Sequence, residues 1–156
     1  MNPIHQNRKA LSATQIVSQL TQLNGENAQG WKLIEGALEK TYTFPDFHRT
    51  MGFVNALAWV ANREDHHPDL AVSYGRCTVR FNTHDVDGIS VSDFFCAAAV
   101  DALLQDSRGF VWIATEGGLH RYDGYGLRLF LHDPDDPASL PEIATLMAER
   151  GLISAP

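Results

Sequence analysis

The sequence predicts an α+β fold: a two-layer sandwich with a four-stranded antiparallel sheet covered by helices on one face, in the order α-β-β-α-β-β-α, followed by a small β-rich C-terminal appendage. Three observations predict it. The hydrophobic period alternates between helical spacing and a spacing of two. Residues that cap helices stand where the period turns helical. A glycine separates the two halves of each pair of alternating runs, as in hairpins.

The elements follow in chain order. Residues 1–10 are polar and read as an N-terminal arm. Ser12 is placed to cap a helix whose Ile16, Val17, Leu20 and Leu23 form one stripe, and Asn24-Gly25 stops it. From Trp31 the period becomes two. Trp31 and Leu33 alternate with Lys32 and Ile34. Beyond Gly36, Leu38, Lys40, Tyr42 and Phe44 alternate with Glu39, Thr41 and Thr43, which makes a hairpin. Pro45-Asp46 ends that strand, and Asp46 caps a second helix running to about Glu64. Phe47, Met51, Val54, Ala58 and Ala61 share one face of it, and Phe53, Leu57 and Val60 widen that face. So broad an apolar surface predicts burial on two sides, by the sheet and by a second subunit.

Pro68 ends the helical run at His67. A second hairpin follows, Leu70 to Tyr74 and Arg76 to Thr83 around Gly75, with Cys77, Val79 and Phe81 facing one way. His84 stands where that strand ends. After the Asp87-Gly88 turn, Ser90 and Asp93 have capping-box spacing and open a helix to about Leu104, with Phe94, Phe95, Ala98 and Ala102 on its apolar side. The character then changes. Glycines at 109, 117, 118, 124 and 126 separate three short strands at Val111/Ile113, Leu119/Arg121 and Leu127/Leu129/Leu131. An acidic, proline-punctuated loop follows at 133–137, and residues 141–150 are weakly helical. The expected division is an arm over 1–10, a domain over 11–104 and an extension over 105–156, the last too small for a robust core of its own.

Composition narrows the function. With 44% hydrophobic and 20% charged residues the chain is globular in type. No apolar run reaches the ~18 residues of a membrane span, and no signal-peptide pattern follows the polar N-terminus, so a cytoplasmic location is expected. A net charge of -7 argues against nucleic acid as the main partner. Two cysteines are too few for a disulfide framework, and Cys77 and Cys96 both fall at core positions, which argues against a thiol nucleophile.

The histidines carry the chemistry. His66 and His67 leave the second helix, and His84 ends the last strand of the domain, with Asp65, Asp69, Asp85 and Asp87 close in sequence. Imidazole titrates near neutrality, and a carboxylate beside it orients the ring, so a cluster suits a reaction that adds one proton and removes another. Histidines in polar loops are also often without function. Adjacent histidines diverge, and no helical i, i+4 pair or CxxC spacing is present, so no metal site is expected.

The stretch Asp65-His66-His67-Pro68-Asp69, then Asn82-Thr83-His84-Asp85 and Gly88, resembles the pterin-4a-carbinolamine dehydratases. The resemblance extends to Gly30-Trp31, Phe44-Pro45-Asp46-Phe47, Gly52-Phe53 and Asp93, and covers roughly residues 11–104. It implies the same α+β fold, assembled as a homo-dimer or homo-tetramer. It also implies loss of water from 4a-hydroxytetrahydropterin, the product of aromatic amino-acid hydroxylases, to give quinonoid dihydropterin, with neither metal nor organic cofactor. His66, His67 and His84 are then the catalytic candidates. Asp65, His66, His67, Asn82, Thr83, His84 and Asp85 are the substrate-binding ones. On this reading His67 and His84 do the acid/base work, His66 polarises or positions the substrate, and the backbone at Thr83-His84 pairs with the pterin's amide edge. Trp31 is either a wall of the pocket or plain core. Many family members have Glu where this chain has Asn62, which predicts reduced activity or a role shifted onto Asp65. That departure and the added tail also keep open a non-catalytic assembly or dimerisation factor on the same scaffold, as some relatives are.

The extension has its own resemblance. Residues 106–124, with His132-Asp133-Pro134 and Ser139-Leu140-Pro141, are similar to one repeat of the sensor propellers of two-component regulators. One blade cannot close a propeller, so the expectation is an appendage rather than a sensor.

Overall fold

The computed structural model describes residues 8–105, 110–115, 118–123 and 126–130. The chain divides into two compact units, Met1–Leu103 and Leu104–Pro156. The first contains α1 (Ala13–Asn24), β1 (Lys32–Ile34), β2 (Ala37–Thr43), α2 (Phe47–Glu64), β3 (Asp69–Ser73), β4 (Arg76–Phe81) and α3 (Val91–Asp101). The four strands form one antiparallel sheet in the order β1-β2-β4-β3.

Local chemistry starts each helix where the capping residues stand. Ser12 Oγ accepts from Gln15 N, and the Gln15 side chain accepts from Ser12 N in return. Asp46 Oδ1 accepts from Arg49 N at 2.8 Å. At the end of α1, Asn24 clasps the Trp31 peptide, accepting from its N–H at 2.7 Å and donating to its carbonyl at 2.8 Å. This close approach requires Gly30, because a Cβ there would lie 2.2 Å from Asn24 Oδ1.

The core lies between the sheet and the helices. Leu38, Cys77, Val79 and Phe81 from the sheet meet Phe53 and Leu57 of α2 and Phe94, Ala97 and Val100 of α3. Ile16, Leu20 and Leu23 of α1 pack against this cluster, while Val17 is left exposed. Burial pushes the Cys77 thiol up to about 11. Burial, then the nearby carboxylates of Glu64 and Asp93, push the Cys96 thiol up to about 12. Both remain protonated near neutrality and are poor nucleophiles.

Four expectations need correction. The stripe of α2 that meets the core runs through Thr50, Phe53, Leu57, Val60 and Glu64. Phe47 and Ala58, expected on the buried face, are exposed, and Met51 is half-buried. The helix carries apolar residues around most of its circumference, so periodicity alone leaves the direction of the core open. The last helix ends at Asp101, and Leu103–Gln105 instead forms a strand, β5. Trp31 is core rather than pocket wall: it is 1% exposed, packs on Phe81, and donates its indole N–H to Asp101 Oδ2 at 2.9 Å. The second hairpin also starts one residue earlier than expected, at Asp69.

In the second unit β6 (Val111–Thr115), β7 (Gly118–Tyr122) and β8 (Leu127–Phe130) occupy the three strand positions expected, in a sheet ordered β5-β6-β7-β8. Trp112 pairs with Arg121, which pairs with Arg128. The Arg121 guanidinium lies over Phe110 at 4.6 Å, Phe130 at 5.6 Å and Trp112 at 5.8 Å, a cation–π stack that covers these rings. Residues 1–7, the loop at 133–137 and the weakly helical stretch at 141–150 lie outside the described residues. No helix among the described residues is long and apolar enough to cross a membrane.

Asp101 ties the first hairpin to the end of α3. Besides the Trp31 indole it accepts from Lys40 Nζ at 2.6 Å and Tyr42 OH at 2.5 Å. Burial, then the Asp101 charge, raise the Tyr42 phenol above its ordinary range, so it stays a donor. Asp101→Ala strips three donors of their acceptor and is expected to cost about 1–3 kcal/mol. Urea unfolding monitored by tryptophan fluorescence measures this cost.

Candidate active site

The β3–β4 register builds the site. Asp69 pairs with Arg80, so the segment entering β3 and the segment leaving β4 lie at the same end of the hairpin. The first segment, residues 65–68, carries His66 and His67. It begins at Asp65, whose left-handed φ of 48° ends α2 and turns the chain toward the sheet. The second carries Asn82, Thr83 and a short 3-10 turn, His84–Val86, closed by Asp87 at φ 49°. The Thr83–Gly88 bridge pins the base of that turn.

One carboxylate joins the two segments. Asp93, in the first turn of α3, is 0% exposed. Its Oδ1 lies 2.7 Å from His66 Nε2. Its Oδ2 accepts from Thr83 Oγ1 at 2.6 Å and from Ser90 N at 2.7 Å. Ser90 Oγ bridges to Thr83 Oγ1 at 2.7 Å and accepts from Ser92 N at 3.2 Å. The hydroxyl directions follow from this order: Ser92 N–H donates to Ser90, Ser90 to Thr83, and Thr83 to Asp93. A carboxylate with two donors already on Oδ2 offers His66 an acceptor, which places a proton on Nε2. The His66 ring is 4% exposed and stacks on Phe81, with centroids 5.7 Å apart and planes 12° apart.

The other two imidazoles face solvent. His67 is exposed and donates from Nε2 to Asn62 Oδ1 at 3.0 Å. His84 is exposed on the 3-10 turn. Asp65 and Asp85 are exposed as well, and Asn82 is half-buried. Thr83 is turned inward: its side chain belongs to the Asp93 network, its N–H donates to Gly88 O, and its carbonyl accepts from Val86 N. The three histidines are thus brought to one end of the sheet in two environments, His66 in the protein interior and His67 and His84 in water. Sequence reasoning missed Asp93 as the group linking them. Its capping spacing from Ser90 was the available signal, and the Thr83 and His66 partners come from other parts of the chain.

Asp93→Ala leaves the His66, Thr83 and Ser90 donors buried without an acceptor and is expected to cost about 3–5 kcal/mol. Asp93→Asn keeps one acceptor for Thr83 and Ser90 and turns an N–H₂ toward His66. The expected result is a smaller loss of stability and a switch of His66 from the Nε2–H to the Nδ1–H tautomer. Chemical denaturation measures the first, and ¹⁵N chemical shifts of the ring measure the second.

The comparisons with known proteins fall on the same unit. The family described as pterin 4 alpha carbinolamine dehydratase matches residues 9–103. Two curated proteins, each named "Putative pterin-4-alpha-carbinolamine dehydratase", are close in sequence. One, from Paracidovorax citrulli (strain AAC00-1), is 55% identical over 104 residues, which are 64% of this chain and 85% of that protein. The other, from Stenotrophomonas maltophilia (strain K279a), is 60% identical over 78 residues, 49% of this chain and 67% of that protein. Among solved structures, a transcriptional coactivator/pterin dehydratase from Brucella melitensis superposes with a TM-score of 0.54 at 27% identity, covering 60% of this chain and 96% of its own. Sequence and fold agree, and the chain belongs to the pterin 4 alpha carbinolamine dehydratase family.

Proposed function

We propose that the chain dehydrates 4a-hydroxytetrahydropterin to quinonoid dihydropterin, with His67 and His84 as the proton-transfer pair and His66 as a fixed support. The observation that carries this reading is the placement of two exposed imidazoles on segments that a single buried carboxylate holds at one end of the sheet. In the reaction the C4a–O bond breaks and C4a=N5 forms. One imidazolium gives its proton to the departing hydroxyl, which leaves as water. One neutral imidazole takes the N5 proton. The electron pair of N5 expels the hydroxyl, so the step is neutral in protons overall. Each transfer is worth about 10²–10⁴-fold. His66 cannot serve in this exchange with Nε2 committed to Asp93 and its ring buried on Phe81. Its part is to hold the chain so that His67 projects outward.

Asn62 modulates the pair. It hydrogen-bonds the ring of His67 without placing a charge beside it. A carboxylate there favours the imidazolium form. Asn62→Glu is therefore expected to move the limb of the pH–rate profile that reports His67 to higher pH, and steady-state rates across pH measure this.

The direct test generates the carbinolamine with a phenylalanine hydroxylase and follows its decay in ultraviolet absorbance. The wild-type chain is expected to accelerate the decay. His84→Ala and His67→Ala are each expected to lower turnover by about 10²-fold or more, with a thermal midpoint close to that of the wild type because both side chains are exposed. Full activity in either variant removes that histidine from the mechanism. A folded wild-type chain with no effect on the decay overturns the dehydratase reading.

A second reading has its own observation. The exposed side of α2 presents Phe47, Ala58 and the rim of Trp59, and the Brucella melitensis protein is titled a coactivator as well as a dehydratase. On that reading the scaffold assembles with itself or with a partner protein through this helix.

A further inference from the structure

We infer that Arg8 is a positioning residue for the proposed dehydration: its guanidinium braces the two histidine-bearing segments against each other. Arg8 Nη2 donates to the carbonyl of Asp65 at 2.8 Å, and Nη1 lies 3.5 Å from Asp85 Oδ2. The Asp65 carbonyl belongs to the peptide that enters His66 and His67. Asp85 follows His84 in the 3-10 turn. One planar group therefore touches both segments, and Asp93 joins the same two through His66 and Thr83.

The residue is well placed for this work. Its base is fixed three positions on, where Leu11 N donates to Ile89 O at 2.8 Å. Ala10 passes close enough that a Cβ on Gly88 would meet its methyl at 3.9 Å. The Arg8 side chain is only 19% exposed although its partner Asp85 is 75% exposed. The contact with Asp85 is long and screened, so the carbonyl bond is the firmer of the two. The fork geometry of guanidinium is what permits both at once. An ammonium is a point donor and reaches one. Both segments begin or end at residues with left-handed backbone, Asp65 and Asp87, whose N–H groups bond back into the turn each closes, Asp65 to Ala61 O and Asn62 O and Asp87 to His84 O, and so do not tie one segment to the other. Without Arg8 the two segments are joined to each other by the β3–β4 pairing and the Asp93 network.

This inference rests on the dehydratase reading for its kinetic consequence and not for its structural one, so two measurements are made on the full chain. In the carbinolamine assay Arg8→Ala is expected to lower kcat by about tenfold with KM changed less than about twofold. Arg8→Lys is expected to recover part of the loss, and added guanidinium ion part of the loss in Arg8→Ala. In hydrogen exchange followed by mass spectrometry, Arg8→Ala is expected to speed exchange in 65–68 and 84–88 together while α2 and β2 stay as in the wild type. Wild-type exchange in either segment, or a rise spread evenly over the sheet, overturns the brace. With an active wild type, an unchanged kcat or a loss that neither Arg8→Lys nor guanidinium restores also overturns it. An inactive wild type defeats the dehydratase reading instead, and the exchange result still decides the brace.

Discussion

A carboxylate withdrawn completely from water must have its oxygens occupied, and Asp93 satisfies this by drawing in three separate stretches of chain. Its own helix supplies the Ser90 amide, the strand leaving the sheet supplies the Thr83 hydroxyl, and the loop after α2 supplies His66. The position favours the charge, since the first turn of a helix presents free amides and the positive end of the helix dipole. The same interaction begins α3, closes the 83–88 turn and fixes where α2 hands over to β3. Helix, turn and loop are therefore set relative to one another by one group. The outward histidines inherit their placement from it.

This arrangement divides the histidines by environment. His66 has the interior side, with Phe81 against its face and Asp93 on its edge. Phe81 in turn packs on Trp31, and the Trp31 indole bonds Asp101, so the support of the site runs without a break through the core to the far end of α3. An aromatic chain of this kind is stiff, because close-packed rings have no room to turn. His67 and His84 stand on the rigid side of that support while keeping their rings in solvent. The proposed proton exchange needs this exposure, and a fixed placement of the rings needs the rigidity.

Much of this was legible in the sequence, and the parts that were not share one physical character. Ser12, Asp46 and Ser90 mark helix starts because their side chains act within three residues of themselves, so local sequence suffices. The hairpin around Gly36 and the parity of Cys77, Val79 and Phe81 were equally local. The core-facing side of α2 was not, since a helix apolar on most sides does not say where the sheet lies. Trp31 reads as core from its strand parity and as pocket wall from the family resemblance, and a partner seventy positions away, Asp101, helps decide it. For the site, the histidine and aspartate spacing identified the segments but not which imidazole turns inward. That choice is made by Asp93, whose capping role was visible and whose grip on His66 was not. Arg8 gave no signal at all: a basic residue in a polar arm looks the same whether it is solvated or bonded across two loops.

The inward and outward split also accounts for how the proposed reaction resets. After one turnover the acid is neutral and the base is charged, the reverse of the starting state. In a closed pocket a relay of side chains or ordered water would have to return the proton. With both rings exposed, each re-equilibrates with solvent directly, and no relay is required. The buried ring is the one imidazole whose proton must not move, because Asp93 needs a donor there to remain satisfied. On the proposed mechanism, placing the fixed proton inside and the mobile ones outside lets neighbouring residues in one short loop, His66 and His67, do opposite things with the same side chain.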